Sequence, residues 1–163
     1  MNRRQIAAVL TLDAFGISLN DYSGSFLKRL EVQKAVYLAQ SKGVEVGHHF
    51  SWYVRGPYAP KLTEDMYAVT PDDVQSLVGE WKLDSSSSDT LAGLKDVIVA
   101  EPPGGLHRAI WLELLASVHY LLQNKLSSEA ELRDTLAKYD KSFSQEQIES
   151  ALGALKKCDL IAA

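Results

Sequence analysis

Residues 26–42, reading FLKRLEVQKAVYLAQSK, limit what this chain can fold into more than any other stretch of it. On a helical wheel of roughly 100° per residue, Phe26, Leu27, Leu30, Val32, Ala35, Val36, Tyr37, Leu38 and Ala39 cover most of the circumference. The continuous polar arc shrinks to Arg29, Gln33 and Gln40. A helix apolar over most of its girth is stable in water only when other elements surround it. The segment therefore predicts a central helix, opened by Ser25 as N-cap after the break at Ser23-Gly24-Ser25. With 163 residues, 46% of them apolar and 23% charged, the chain can build a sizeable core around it. We expect one domain over 1–163, mainly α in an α+β class.

An N-terminal part, 1–84, supplies the first layer of that surround. Residues 3–14 read as a helix with Ile6, Val9, Leu10 and Leu12 apolar. Gly43 and Gly47 lead into a strand in which Phe50, Trp52 and Val54 alternate with Ser51, Tyr53 and Arg55, which predicts a small sheet near 48–55. Gly56-Pro57 should stop the strand. Pro60 suits the first position of a helix carrying Leu62, Met66 and Val69, and Thr70-Pro71-Asp72-Asp73 starts another that Gly79 can end. Ser85 to Ser88 predicts a flexible serine loop between this part and a C-terminal helical part, 89–163.

That second part opens with a short helix near 89–98, then breaks at Pro102-Pro103-Gly104-Gly105. Three helices follow, at about 106–123, 128–139 and 144–157. Capping boxes, Ser128 with Glu131 and Ser144 with Gln147, open the last two. Their core stripes are Leu132 and Leu136, then Ile148, Leu152 and Leu155. Leu160-Ile161 reads as the start of a strand. Three helices and a brief apolar strand make a winged-helix-like skeleton. Its wing would be missing, or would come from the strand near 50–54 pairing with 159–162.

Composition narrows the setting and the chemistry. One cysteine, Cys158, allows no intramolecular disulfide and suits a reducing compartment. No secretion signal follows Met1, and the apolar stretch 109–122 is broken by Glu113, Ser117 and His119, so a cytoplasmic location without membrane contact is expected. His48, His49, His107 and His119 with one cysteine offer no tetrahedral zinc set. His48 and His49, adjacent on a strand, would point to opposite faces, one of them buried or capping. Pro-Pro-Gly-Gly precedes a helix but carries no Lys-Ser/Thr pair to cradle phosphate. Glu64-Asp65 and Asp72-Asp73 are helical neighbours that diverge, and the second pair complements a helix dipole. No nucleophile–base–acid series is visible. We expect no catalytic residue, no cofactor and no metal.

Nucleic acid is disfavoured too. Residues 1–60 hold seven Lys/Arg and four Asp/Glu (+3), residues 61–103 three and nine (−6), and residues 104–163 seven and eight (−1). No broad basic stripe results. A helix-turn-helix reads DNA with the N-terminal residues of its third helix. Here these are Ser144, Gln145, Glu146, Gln147 and Glu149, while Lys156 and Lys157 lie at the far end. Two carboxylates facing phosphates oppose binding.

The pair LEVQKAVYLAQSKG and FSWYVRGPYAP resembles a two-part signature of the Panacea, or SocA-like, antitoxin domain and related uncharacterised bacterial proteins. The match falls on Leu30, Gln33, Lys34, Val36, Tyr37 and Leu38, then on Trp52, Gly56, Pro57 and Tyr67. Where that domain more often reads Tyr-Gly-Pro-Val, this chain has Arg55-Gly56-Pro57-Tyr58, as a sister family would. The resemblance implies a mostly helical domain without catalytic residues that binds other proteins, neutralising toxins or delivering them to a protease.

The stretch 50–60 fits both a structural and an interaction role. Phe50, Trp52 and Val54 can form a core face above a tight turn. On the opposite face Tyr53, Arg55 and Tyr58 surround Gly56-Pro57, and Tyr, Trp and Arg are the types enriched in interface anchors. We therefore expect a non-enzymatic protein-binding module with Tyr53, Arg55, Gly56, Pro57 and Tyr58 at its partner surface. A winged-helix DNA-binding transcriptional regulator is the alternative, and a hydrolase or transferase comes third.

Overall fold

Eight helices and one β-hairpin make up the chain, residues 1–163, in the computed structural model. In order they are α1 (Arg3–Ala14), α2 (Phe26–Ser41), β1 (Ser51–Tyr53), β2 (Gly56–Tyr58), α3 (Pro60–Tyr67), α4 (Pro71–Glu80), α5 (Ser85–Val99), α6 (Arg108–Gln123), α7 (Leu132–Lys138) and α8 (Gln145–Lys157). Short 3-10 turns at Pro103–Gly105 and Glu129–Glu131 precede α6 and α7. The fold is mainly helical, with 63% helix and 4% strand. No helix is long and apolar enough to cross a membrane.

Helix α2 sits at the centre as its wheel requires. Every residue from Leu30 to Ala39 is buried, and α6 is its principal neighbour. A single apolar cluster of 38 buried residues joins all eight helices, running from Ala8 on α1 through Val36 and Leu38 on α2 and Leu112 and Leu115 on α6 to Leu155 on α8. Phe26, assigned by the wheel to the apolar arc, is an exception: it lies in the first turn of α2, where no element covers it, and is 53% exposed.

Local chemistry sets the helix ends. Asn2 with Gln5, Thr70 with Asp73 and Ser144 with Gln147 form reciprocal capping boxes. The box expected at Ser128 does not form. There the hydroxyl donates to the Glu131 side chain at 3.0 Å, and a 3-10 turn replaces the first α-helical turn. At their C-termini α6, α7 and α8 each stop on a left-handed residue, Lys125, Asp140 and Asp159. The next amide then bonds back to a carbonyl in the last turn, as Lys141 N does to Leu136 O at 3.0 Å and Leu160 N to Leu155 O at 2.9 Å. This closure is why Leu160-Ile161 forms no strand: its first amide is spent on α8. A wing built from 50–54 and 159–162 is therefore absent.

Two further expectations are corrected. Ser85 to Ser88 is no loop but the first turn of α5, because Asp84 caps it by accepting from Ser87 N at 2.7 Å, and Leu91, Leu94, Val97 and Ile98 bury its stripe. Gly56-Pro57 does not stop the sheet but belongs to it. Trp52 stands opposite Pro57, with Ser51 opposite Tyr58 and Tyr53 opposite Gly56. The sheet is thus 51–53 with 56–58 rather than 48–55, and His48 and His49 lie in irregular chain before it. Val54 falls in the connecting turn and is 82% exposed, so it leaves the core face on which alternation placed it.

Candidate interaction site

Helix α2 holds the segment 48–59 against itself with three polar side chains. Gln40 and Gln33 are seven residues apart and so share one face of the helix. Gln40 Nε2 donates to His48 O (2.8 Å) while its Oε1 accepts from His48 N (2.9 Å). Gln33 does the same for Ala59, with bonds of 2.9 and 3.0 Å, and also donates to Thr63 Oγ1. Between these clamps Lys34 Nζ donates to Pro57 O at 2.6 Å. Proline, lacking an N–H, is tolerated in this ribbon, and its carbonyl is tied down from below.

The hairpin lies so close to α6 that Gly56 has no room for a side chain. Its φ is 90°, and a Cβ there would collide with Ser117 Oγ. Gly56 and Pro57 are buried, so of the five residues expected at a partner surface these two form its seat. The other three come together. Tyr53, Arg55 and Tyr58 line one pocket of about 300 Å³ with Phe26, Arg29 and Lys34 of α2. The tyrosine rings meet edge to face at 5.1 Å, and Tyr58 Oη bonds Thr63 Oγ1 at 2.8 Å. Tyr53 is 46% exposed, and Arg55 places its guanidinium 5.4 Å from the centre of the Phe26 ring.

Beneath the rim is a buried cluster of charges. Glu113 of α6 pairs with Arg55 Nε at 2.8 Å through one oxygen and with Lys141 Nζ at 3.3 Å through the other. Lys141 also donates to Val54 O at 2.7 Å, and the left-handed turn at Asp140 positions it at the end of α7. Burial pushes the Lys34 ammonium down to about 7, with Glu113 opposing and Lys141 and Arg55 reinforcing the shift. Lys141 is lowered as well, chiefly by burial, while Glu113 resists.

Other polar residues have separate surroundings. His48 is buried and His49 exposed. Asp65 accepts from Arg4 Nε at 3.0 Å and lies 3.5 Å from His48 Nε2, while its neighbour Glu64 turns outward to Lys61. Burial lowers the His48 pKa against the pull of Asp65. Tyr37 Oη and His119 Nδ1 share a buried hydrogen bond of 2.7 Å. Asp73 is spent on its capping box, and no three His, Cys, Asp or Glu side chains converge.

Wheel and periodicity reasoning passed over Lys34, Glu113, Lys141, Phe26 and Arg29 as site residues. Lys34 left a readable signal, because a lysine within a fully buried helix needs a partner nearby. Glu113 and Lys141 left none, since each is recruited across a long sequence separation. A scan against protein-family models and searches of curated proteins and of solved structures found no match to this chain.

Proposed function

We propose that this chain is a non-enzymatic protein-binding module that grips its partner with the face formed by the start of α2 and the hairpin. One observation carries the reading. Phe26, Tyr53 and Val54 are large apolar side chains left exposed together, beside Arg55 and Tyr58, at the start of α2 and on a hairpin tied down by Lys34 at Pro57 and by Lys141 at Val54. Contiguous exposed apolar surface on rigid backbone is characteristic of interaction sites, and Tyr and Arg are preferred anchors. The resemblance to Panacea (SocA-like) antitoxin domains, or to a sister family, supports a partner that is a toxin to be neutralised or a protease to which one is delivered. A cytoplasmic setting fits this role.

A winged-helix regulator has less behind it. Helices α6 to α8 would supply its skeleton, but the hairpin pairs internally, residues 159–162 form no strand, and α8 carries Glu146 in its first turn. The deciding experiment is affinity capture from the native host, then Kd and Tm for Phe26→Ala and Tyr53→Ala, whose side chains are exposed and make no ion pair, with the captured partner. Loss of roughly 2 kcal/mol of binding or more, about thirtyfold, with Tm nearly unchanged supports the reading. Unaltered binding in both variants, or a salt-sensitive gel shift on the cognate upstream DNA with no protein partner, overturns it.

A further inference from the structure

The pocket walls carry charge of one sign only. Arg29, Lys34 and Arg55 all line it, and no carboxylate does. The carboxylate of the cluster, Glu113, lines the adjoining pocket instead and is already shared between Arg55 and Lys141. Three basic side chains, Lys34, Arg55 and Lys141, thus surround a single buried carboxylate. Lys34 Nζ has three protons to donate and one acceptor in the structure, Pro57 O. Arg29 engages the Tyr22 and Ser23 carbonyls through Nη1 alone, which leaves its other nitrogens free. Around this cationic hollow stand the exposed Phe26, Tyr53 and Val54.

From this arrangement we infer that the pocket is the seat for an aspartate or glutamate side chain, presented by an acidic, aromatic-containing segment of the partner protein. The inference rests on reading the hairpin face as a protein-binding surface, and it names the chemistry of what binds. A carboxylate seated between Arg29 and Arg55, above the fully buried Lys34, would meet the two planar guanidinium forks, whose geometry suits it. The apolar rim requires more than a free inorganic anion: flanking aromatic or aliphatic side chains of the same segment would cover Phe26, Tyr53 and Val54.

A proton follows the carboxylate. The groups facing Lys34 are Arg55 from the hairpin turn, Glu113 and Ser117 from α6, Lys141 from the turn after α7 and Arg29 on its own helix. Burial leaves Lys34 only part-charged near neutrality. A second carboxylate beside it favours the charged form, so binding takes up a proton. Affinity is then greatest at and below about pH 7 and declines as the pH rises above it.

The test is calorimetry and amide chemical-shift mapping on the full chain with two capped peptides, acetyl-Glu-Phe-Glu-Phe-Glu-amide and its glutamine counterpart. We expect the glutamate peptide to bind about tenfold more tightly. It should shift amides at 26–34 and 53–58, and its binding heats should vary with buffer ionisation enthalpy at about pH 8, reporting proton uptake. Arg29→Gln, which keeps the bond from Lys34 to Pro57, should weaken the glutamate peptide about tenfold and leave the glutamine one unchanged. Lys34→Met should abolish the proton uptake. Equal binding of the two peptides, no binding of either at millimolar concentration, or inorganic phosphate shifting the same amides as tightly overturns the inference. If a captured partner loses affinity in Tyr53→Ala but not in Arg29→Gln or Lys34→Met, the binding surface stands and the acidic seat falls.

Discussion

At Gly56 two separate constraints meet, and they can be measured apart. A side chain there must adopt φ near 90° and must also displace Ser117 Oγ. Gly56→Ala should therefore destabilise the fold by more than the roughly 1 kcal/mol expected when alanine is forced to positive φ alone. Adding Ser117→Ala, which removes the colliding Oγ and keeps a good helix former in α6, should recover the collision part and leave the conformational part, which urea unfolding of the single and double variants would resolve. Full recovery would mean that φ matters little here. Lys34 gives a second prediction at the same scale. Unfolded, it titrates near an ordinary lysine value of about 10.4; folded, it titrates near 7. Between these values the unfolded chain binds the extra proton, so stability should rise as the pH increases above about 7 and level off below it. Lys141, lowered in the same direction, adds to the slope, whereas Tyr22, pushed up to about 12, opposes it only at the alkaline end. Urea unfolding at about pH 7 and 9 should show the rise in the native chain and a shallower one in Lys34→Met. An unchanged slope would show that Lys34 stays charged in its pocket.

The elements show what could and could not be read in advance. Helix α2 was legible because burial acts on the whole circumference, and so many apolar positions leave no solvent face. Helix α5 was misread because four serines suggest a loop, while the decision lies on either side of them. Asp84 caps the first turn, and the stripe Leu91, Leu94, Val97 and Ile98 anchors the rest. Asp84→Ala should then cost about 1 kcal/mol, whereas Ser88→Ala, exposed and without a capping bond, should change stability by less than about 0.5 kcal/mol. Equal effects by thermal unfolding would mean that the serines, not the aspartate, hold the turn. The hairpin was half legible. Alternation located β1, but proline usually argues against a strand, and only the clamps from Gln33 and Lys34 explain why Gly56-Pro57-Tyr58 can be one. The aromatic and arginine side chains of the site were visible in the sequence. The charges beneath them were not, because Glu113 and Lys141 reach it through tertiary packing.

Across the whole molecule the two parts of the sequence share one core, since α2 from the first packs mainly on α6 from the second. The consequences for leucines of α2 differ with what each one faces. Leu38 lies inside the apolar cluster and is 1% exposed, so Leu38→Ala should cost on the order of 3–5 kcal/mol. Leu30 is buried but lies outside that cluster, at the wall of the cationic pocket, so Leu30→Ala should fall near the lower end, about 2 kcal/mol. Both losses should appear in a single transition. Trp52 in the hairpin, Trp111 buried on α6 and Trp81 exposed after α4 report from different places, while circular dichroism reports all eight helices at once. If α2 and α6 bind the parts into one cooperative unit, fluorescence and dichroism should melt together, and Leu38→Ala should lower both midpoints equally. Midpoints that separate in Leu38→Ala would show that the segment after Pro103 keeps its structure without α2, and that the core is two cores in contact.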